Sequence, residues 1–124
     1  MTQENKELLL ADLCGRLQYG VKISVNDNIE SLQGINVLDG VAEYGSFLSC
    51  DIDEVKPYLF PMSSMTEWQE RELEILMKNS IESCGMLSPY DCLEMERFFN
   101  ENHLDWRDLV PKGLAIDATG KNIY

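Results

Sequence analysis

Apolar residues recur at intervals of three and four near the start of the chain. The positions are Leu10, Leu13, Cys14 and Leu17. This spacing lines one face of an α-helix and predicts an amphipathic helix over about residues 2–17. Thr2 is a favourable N-cap for it, because a threonine oxygen can accept from a free N–H of the first turn. Gly20 follows as the exit from the helix.

From residue 19 to residue 52 the apolar positions alternate with polar ones, as in half-buried strands. The first strand contains Val21, Ile23 and Val25, and Asn26-Asp27-Asn28 supplies turn residues. Residues 29–38 form a second predicted strand, in which Gly34 is a candidate bulge. Asp39-Gly40 is a tight-hairpin dipeptide, and residues 41–52 form a third strand. The pattern predicts a three-stranded antiparallel meander.

The segment 55–61 is apolar but contains two prolines, so it is expected to cross the end of the sheet as an irregular or short 3₁₀ connector. Thr66 and Gln69 then have the spacing of a capping box. They predict a second helix that ends near Ser80, with a break at Gly85.

Ser88 and Pro89 begin a third predicted helix, with serine as N-cap and proline at the first helical position. This helix is expected to end at about residue 101 or 102. A short helical turn capped by Asp105 and a short strand over residues 114–116 complete the chain.

These elements predict a single α+β domain over residues 1–124. It has an N-terminal helix, a three-stranded antiparallel sheet, two further helices and a short C-terminal extension. The expected core consists of Leu10, Leu13, Leu17, Val21, Ile23, Ile35, Val37, Phe47, Leu59, Phe60, Leu73, Leu76, Met95, Phe99, Leu109 and Leu114.

Charge changes this picture more than composition does. Among 124 residues there are 22 acidic and 10 basic side chains, which gives a formal net charge of −12 at pH 7. Such a chain has no basic surface for nucleic acid, so direct nucleic-acid binding is not expected. No secretion signal and no apolar run of membrane-spanning length are visible, which predicts a soluble, cytoplasmic protein with no membrane partner and four reduced cysteines.

Metal and nucleotide chemistry have little support. Asp51, Asp53 and Glu54 are close in sequence, but no run has the register of a calcium loop. The four cysteines form no C-x-x-C pair, and no glycine-rich phosphate loop is present. We therefore expect no metal and no cofactor.

The single histidine lies in a chemically rich segment, His103-Leu104-Asp105-Trp106-Arg107-Asp108. A histidine that meets Asp105 or Asp117 could act as an acid-base pair, which gives a small hydrolase or transferase as one hypothesis. The structural alternative has Asp105 as a cap, Arg107 paired with Asp105 or Asp117, and His103 near a helix C-terminus.

The second predicted helix is strongly acidic. Glu67, Glu70, Glu72 and Glu74 fall within two turns, with only Arg71 among them. Such a face ordinarily keeps a protein soluble. It could also occupy the basic site of a protein partner and compete there with phosphates.

Three segments together resemble a group of small uncharacterised proteins from gut Bacteroides genomes and their phage-like or mobile regions. The segments are ELLLADLCGRL at residues 7–17, VKPYLFPMSSMTE at 55–67 and NHLDWRDLVPKGLAIDATG at 102–120. The resemblance implies a bacterial or phage-encoded cytoplasmic protein and brings no activity. Members often carry glycine where this chain has Asp108. Because aspartate replaces glycine here, we expect that the backbone at this position is not left-handed. Arg107 matches the group and is a candidate surface residue.

The leading hypothesis is a non-enzymatic, acidic accessory factor of a phage or mobile element that binds a protein partner. It would act through the loop at residues 103–112 and the acidic helix, and the partner could be basic. Its candidate binding residues are Trp106, Arg107, Glu67, Glu70 and Glu74. A self-associating structural protein is a third class, and it requires a sizeable exposed apolar patch. The sequence leaves the oligomeric state open.

Overall fold

A computed structural model describes residues 1–84 and 88–124, with side chains for residues 1–78 and 88–124. Three helices and seven strands are present in these residues. The helices are α1 (Gln3–Arg16), α2 (Glu67–Cys84) and α3 (Pro89–Glu101). The strands are β1 (Lys22–Val25), β2 (Asn28–Asn36), β3 (Val41–Tyr44), β4 (Leu48–Asp51), β5 (Val55–Pro61), β6 (Leu104–Asp105) and β7 (Ile116–Asp117). The α+β class and the three helices are confirmed.

The sheet is larger than the predicted three-stranded meander. Within the described residues its strand order is β4-β3-β2-β1-β5-β6, and β7 also pairs with β5. Strands β1 to β5 pair with their neighbours in antiparallel fashion, whereas β6 and β7 run parallel to β5. The extra strands come from one predicted strand that divides in two and from segments predicted as connector or extension.

The first hairpin agrees with its sequence. Asn26 and Asp27 both have positive φ, 51° and 65°, as a two-residue turn between β1 and β2 requires. The bulge predicted at Gly34 is confirmed, because the register of β2 on β3 shifts between Leu32 and Gly34. A Cβ at Gly34 would lie 2.9 Å from the Glu43 carboxylate, so a side chain there would require the flexible Glu43 side chain to move.

The third predicted strand was wrong in its extent. The chain reverses between Tyr44 and Leu48, where Gly45 has φ 56° and Phe47 has φ 70°. Phenylalanine is unfavourable in the left-handed region, so the presence of Phe47 did not indicate a turn in this segment. Phe47, predicted in the core, is fully exposed at the tip of this turn.

The predicted connector at residues 55–61 is the strand β5, which lies between β1 and the two short parallel strands. Its prolines remove two N–H donors but leave every carbonyl available. Phe60 N–H donates to the carbonyl of His103, and Leu59 C=O accepts from Ala118 N–H. A proline-containing segment can therefore form part of the sheet at these positions.

Helix α1 begins as predicted, since the Thr2 hydroxyl accepts from Asn5 N–H at 3.1 Å. Its buried face was predicted incorrectly. The residues buried are Leu9, Asp12, Leu13 and Arg16, whereas Cys14 is exposed. Two of the four inward positions, Asp12 and Arg16, are charged. A search for apolar residues at helical spacing therefore selects a neighbouring face of the helix.

Helices α2 and α3 form a hairpin whose starts were predicted correctly. Thr66 and Gln69 form the predicted capping box, and Ser88 forms one with Asp91. The Gln69 amide also donates to Asn102 Oδ1 at 3.2 Å, which joins the start of α2 to the end of α3. Helix α2 continues past Ser80 to Cys84, and the predicted break at Gly85 lies outside the described residues.

The hydrophobic residues form two clusters. One lies between α1 and the sheet and includes Leu13, Val21, Ile23, Leu59, Leu109 and Leu114. The other joins α2 and α3 to β5 and β6 around Phe98, Phe99 and Leu104. Of the predicted core, Leu10, Leu17, Ile35, Phe60, Leu73, Leu76 and Met95 are half-buried. Val37 was predicted incorrectly, because it follows the end of β2 and is exposed.

The C-terminal elements also differ from the prediction. Asp105 belongs to β6, and its carboxylate caps the following segment by accepting from Leu109 and Val110 N–H, but no helical turn forms there. The short strand lies at Ile116–Asp117 instead of 114–116. Among the described helices, none combines the length and the hydropathy needed to cross a bilayer.

Candidate functional site

A buried ion cluster joins α1 to the segment after α3. Asp12 and Arg16 lie one turn apart on α1 and are fully buried. Asp12 Oδ2 accepts from Arg16 Nε at 2.9 Å, and Asp12 Oδ1 accepts from Arg107 Nη1 at 2.9 Å. Arg16 Nη2 also donates to the carbonyl of Leu104. Arg107, expected to pair with Asp105 or Asp117, pairs with Asp12 instead.

Trp106 reinforces this arrangement. The Arg107 guanidinium lies over the Trp106 ring, 3.9 Å from its centre, in a cation–π contact. The indole N–H donates to Asn100 Oδ1 at 3.0 Å, and the ring stacks on Phe99. The polar groups of both candidate binding residues are thus engaged within the fold.

His103 lies beneath the aromatic ring of Tyr124. The two rings are almost parallel, with centres 3.6 Å apart. The Tyr124 hydroxyl donates to the Tyr58 carbonyl and accepts from Lys22 N–H, which fixes the covering ring. Burial, with a smaller effect from the positive charge of Arg16, lowers the pKa of His103 to about 4. His103 is therefore neutral at pH 7.

The two carboxylates proposed to work with His103 have other partners. Asp105 is buried, and its two oxygens accept from the N–H groups of Leu109 and Val110 at 2.7 and 2.8 Å. Asp117 is exposed, and hydrogen bonds from the Thr119 side chain and, secondarily, from Thr119 N–H hold the pKa of its carboxyl below the usual value. No hydrogen bond or ion pair joins His103 to either carboxylate in the described part of the chain.

Two buried nitrogens in this region, Arg16 Nη1 and His103 Nδ1, lack a hydrogen-bond partner among the described residues.

The backbone of the segment after α3 is also unusual. Asp108 has φ 59°, so the expectation that this position avoids the left-handed region was wrong. Aspartate tolerates this conformation better than most residues, because its short side chain can hydrogen-bond locally.

The acidic residues singled out on α2 are exposed. Glu67, Glu70 and Glu74 follow one another at helical spacing and lie on the outer side of the helix. Glu72, the remaining carboxylate of the four singled out on this helix, lies on a different side and lines a groove between α2 and α3.

This groove is the site that the sequence did not indicate. It encloses about 340 Å³ and is lined from α2 by Glu72, Ile75 and Leu76, and from α3 by Glu94, Arg97, Phe98 and Glu101. Arg97 Nε pairs with Glu101 at 3.3 Å, and both side chains are largely exposed. Three carboxylates and one guanidinium therefore surround an apolar floor. We call it the α2–α3 groove.

Exposed apolar side chains lie on the same hairpin. Trp68, Ile75, Tyr90 and Leu93 are each 59–68% exposed. Single exposed apolar residues are ordinary, but several on one pair of helices mark a surface suited to contact with another macromolecule. The sequence contained this signal in the large apolar residues of both helices that the expected core does not include.

The described side chains contain no group of three or more acidic, histidine or cysteine residues that could hold a metal ion. Asp51 accepts from Asp53 N–H and so acts in a local turn. Cys14, Cys50 and Cys92 are free thiols, and the side chain of Cys84 lies outside the described set.

Comparison with known proteins gave no match: neither the protein-family models, nor the curated proteins, nor the solved structures contain a significant relative of this chain. The function is therefore inferred from the residues and geometry of this chain.

Proposed function

We propose that this protein is a non-enzymatic accessory factor, of the phage or mobile-element kind that the sequence resemblance implies. It binds a basic protein partner through the acidic surface of the α2–α3 hairpin. Glu67, Glu70 and Glu74 supply the outer carboxylates of that surface.

The observation that supports the proposal most strongly is the charge of this hairpin. Helices α2 and α3 carry nine acidic and three basic side chains, alongside the exposed apolar residues described above. A carboxylate-rich surface accelerates encounters with a positively charged partner and disfavours phosphate backbones. Neighbouring apolar side chains can then supply buried contact area.

The alternative, a small hydrolase or transferase at His103, fits the geometry less well. The ring is covered by Tyr124, and Asp105 accepts two backbone hydrogen bonds through both of its oxygens. A general base must reach the proton that it abstracts. Trp106 and Arg107 likewise contribute to packing, and we place the partner surface on α2 and α3.

Affinity capture tests the proposal. The tagged protein is mixed with a lysate of a gut Bacteroides strain at about 50 mM and about 500 mM salt, which changes the screening of exposed charges several-fold. A triple variant, Glu67→Lys, Glu70→Lys and Glu74→Lys, is compared with the native chain. The matched control carries Glu4→Lys, Glu7→Lys and Glu54→Lys, three exposed positions outside the hairpin that change the net charge equally.

We expect a stoichiometric basic partner that is captured at low salt, lost at high salt and lost in the hairpin variant. The control variant should retain it. Equal retention by both variants, or capture of no partner at either salt, would contradict the proposed function.

A further inference from the structure

We infer that the α2–α3 groove receives a basic amphipathic helix of the partner. This inference rests on the proposed function and specifies the partner element and its seat.

The walls combine acidic and apolar residues in a regular way. On α2, Glu72 and Ile75 follow at i and i+3, so they lie along one side of the helix. On α3, Glu94, Arg97 and Glu101 follow at i, i+3 and i+7. The antiparallel hairpin brings these two stripes to opposite sides of a floor that contains Leu76 and Phe98.

The charges of the groove select a cationic occupant. Glu72, Glu94 and Glu101 outnumber Arg97, and Arg97 is itself paired with Glu101 in an exposed contact. The apolar floor selects hydrophobic side chains between the basic ones. A partner segment that presents leucine-like residues flanked by lysine or arginine satisfies both requirements.

The backbone of the walls selects a helix. Both walls are α-helices, whose N–H and C=O groups bond internally, so the groove offers no free edge to an added strand. The α3 stripe from Glu94 to Glu101 covers seven residue steps, which is about 10 Å at a rise of about 1.5 Å per residue. About two turns of a docked helix have the same length. Helix-in-groove recognition uses anchors at i, i+3, i+4 and i+7 in this way.

A designed peptide provides a direct test with the full-length protein. The probe is a fluorescein-labelled 18-residue peptide of leucine and lysine at helical spacing, and its control is a scrambled peptide of the same composition. Fluorescence polarisation measures both affinities. Two groove variants, Ile75→Gln and Glu94→Lys, are compared with Ile29→Gln and Glu54→Lys, matched changes at exposed positions outside the α2–α3 hairpin.

We expect the amphipathic peptide to bind at least about tenfold tighter than the scrambled one. Each groove variant should weaken it by about tenfold, and each control by less than about threefold. Ile75 is exposed, so its replacement should leave the thermal unfolding temperature unchanged, and that measurement accompanies the titration.

Equal affinity for both peptides, or binding that Ile75→Gln and Ile29→Gln affect alike, would overturn the inference. The affinity capture separates this result from a failure of the proposed function. A partner lost in the hairpin charge variant but retained by Ile75→Gln supports the acidic surface and rejects the groove as the seat.

Discussion

Asp12 connects α1 to the segment after α3 through one carboxylate. It is fully buried, and it pairs with Arg16 on its own helix and with Arg107 from the segment after α3. Burial of a lone guanidinium is very unfavourable, so Arg16 can remain inside only while this carboxylate faces it.

Replacement of Asp12 by alanine should lower the free energy of unfolding by about 3–5 kcal/mol, because it leaves the Arg16 charge buried without compensation. The chain supplies a matched comparison in Arg97 and Glu101, another pair four residues apart, which is exposed. Glu101→Ala should cost at most about 0.5 kcal/mol. Chemical denaturation measures both, and similar losses for the two variants would contradict the account of the buried cluster.

His103 should titrate with a pKa near 4, because burial and the nearby Arg16 charge oppose protonation of its ring. As the chain contains one histidine, ring proton shifts in NMR report this group without ambiguity. A pKa near the ordinary value of 6.5 would show that the ring is not buried as described.

His103 also makes the free energy of unfolding depend on pH. Between about pH 6.5 and 4 the unfolded chain binds a proton at this ring that the folded chain does not, so this contribution to stability falls as the pH is lowered. His103→Asn suits the positive φ of 56° and should flatten the profile in that window. Titrations of the carboxylates are common to both proteins and cancel in the comparison.

Residue-level contacts were the least predictable from sequence. Asp12 and Arg107 are 95 positions apart, and no local pattern relates them. The inward face of α1 was misassigned because charge replaces hydrophobicity at Asp12 and Arg16. Asp108 shows that aspartate can adopt a left-handed backbone, φ 59°, which glycine adopts most readily.

At the scale of elements, the predictable features were those with local causes. The starts of all three helices follow from capping residues that bond within three positions, and the first hairpin follows from Asn26-Asp27. Strand β5 was missed because its pairing partners lie elsewhere in the chain. Its prolines suggested a connector, and only the sheet reveals that its carbonyls have partners.

The β3–β4 turn provides a test of this account. Phe47 has φ 70° and a fully exposed ring, so Phe47→Gly removes left-handed strain of about 1–2 kcal/mol and sacrifices no packing. The added freedom of glycine in the unfolded chain offsets part of this gain, and we expect a net stabilisation of about 0.5–1 kcal/mol. Thermal and urea unfolding measure the change. A loss of about 3 kcal/mol or more would indicate a core phenylalanine instead.

For the whole molecule, the sequence predicted the α+β class and the acidity of α2, but not the site that these features form. The outer carboxylates Glu67, Glu70 and Glu74 were recognised because they are close in sequence. The α2–α3 groove was not, because Ile75 and Phe98 come together only when the two helices pack as a hairpin. Local patterns identify faces of helices, whereas a groove requires the relation between two of them.

The most direct measurement of the central claim is an NMR map of amide shifts in the ¹⁵N-labelled protein as the leucine–lysine amphipathic peptide is added. The account predicts shifts concentrated in residues 68–78 of α2 and 90–101 of α3, with the scrambled peptide producing smaller, scattered changes. Shifts centred on the loop at residues 103–112 or on strand β4, with the groove unaffected, would contradict it.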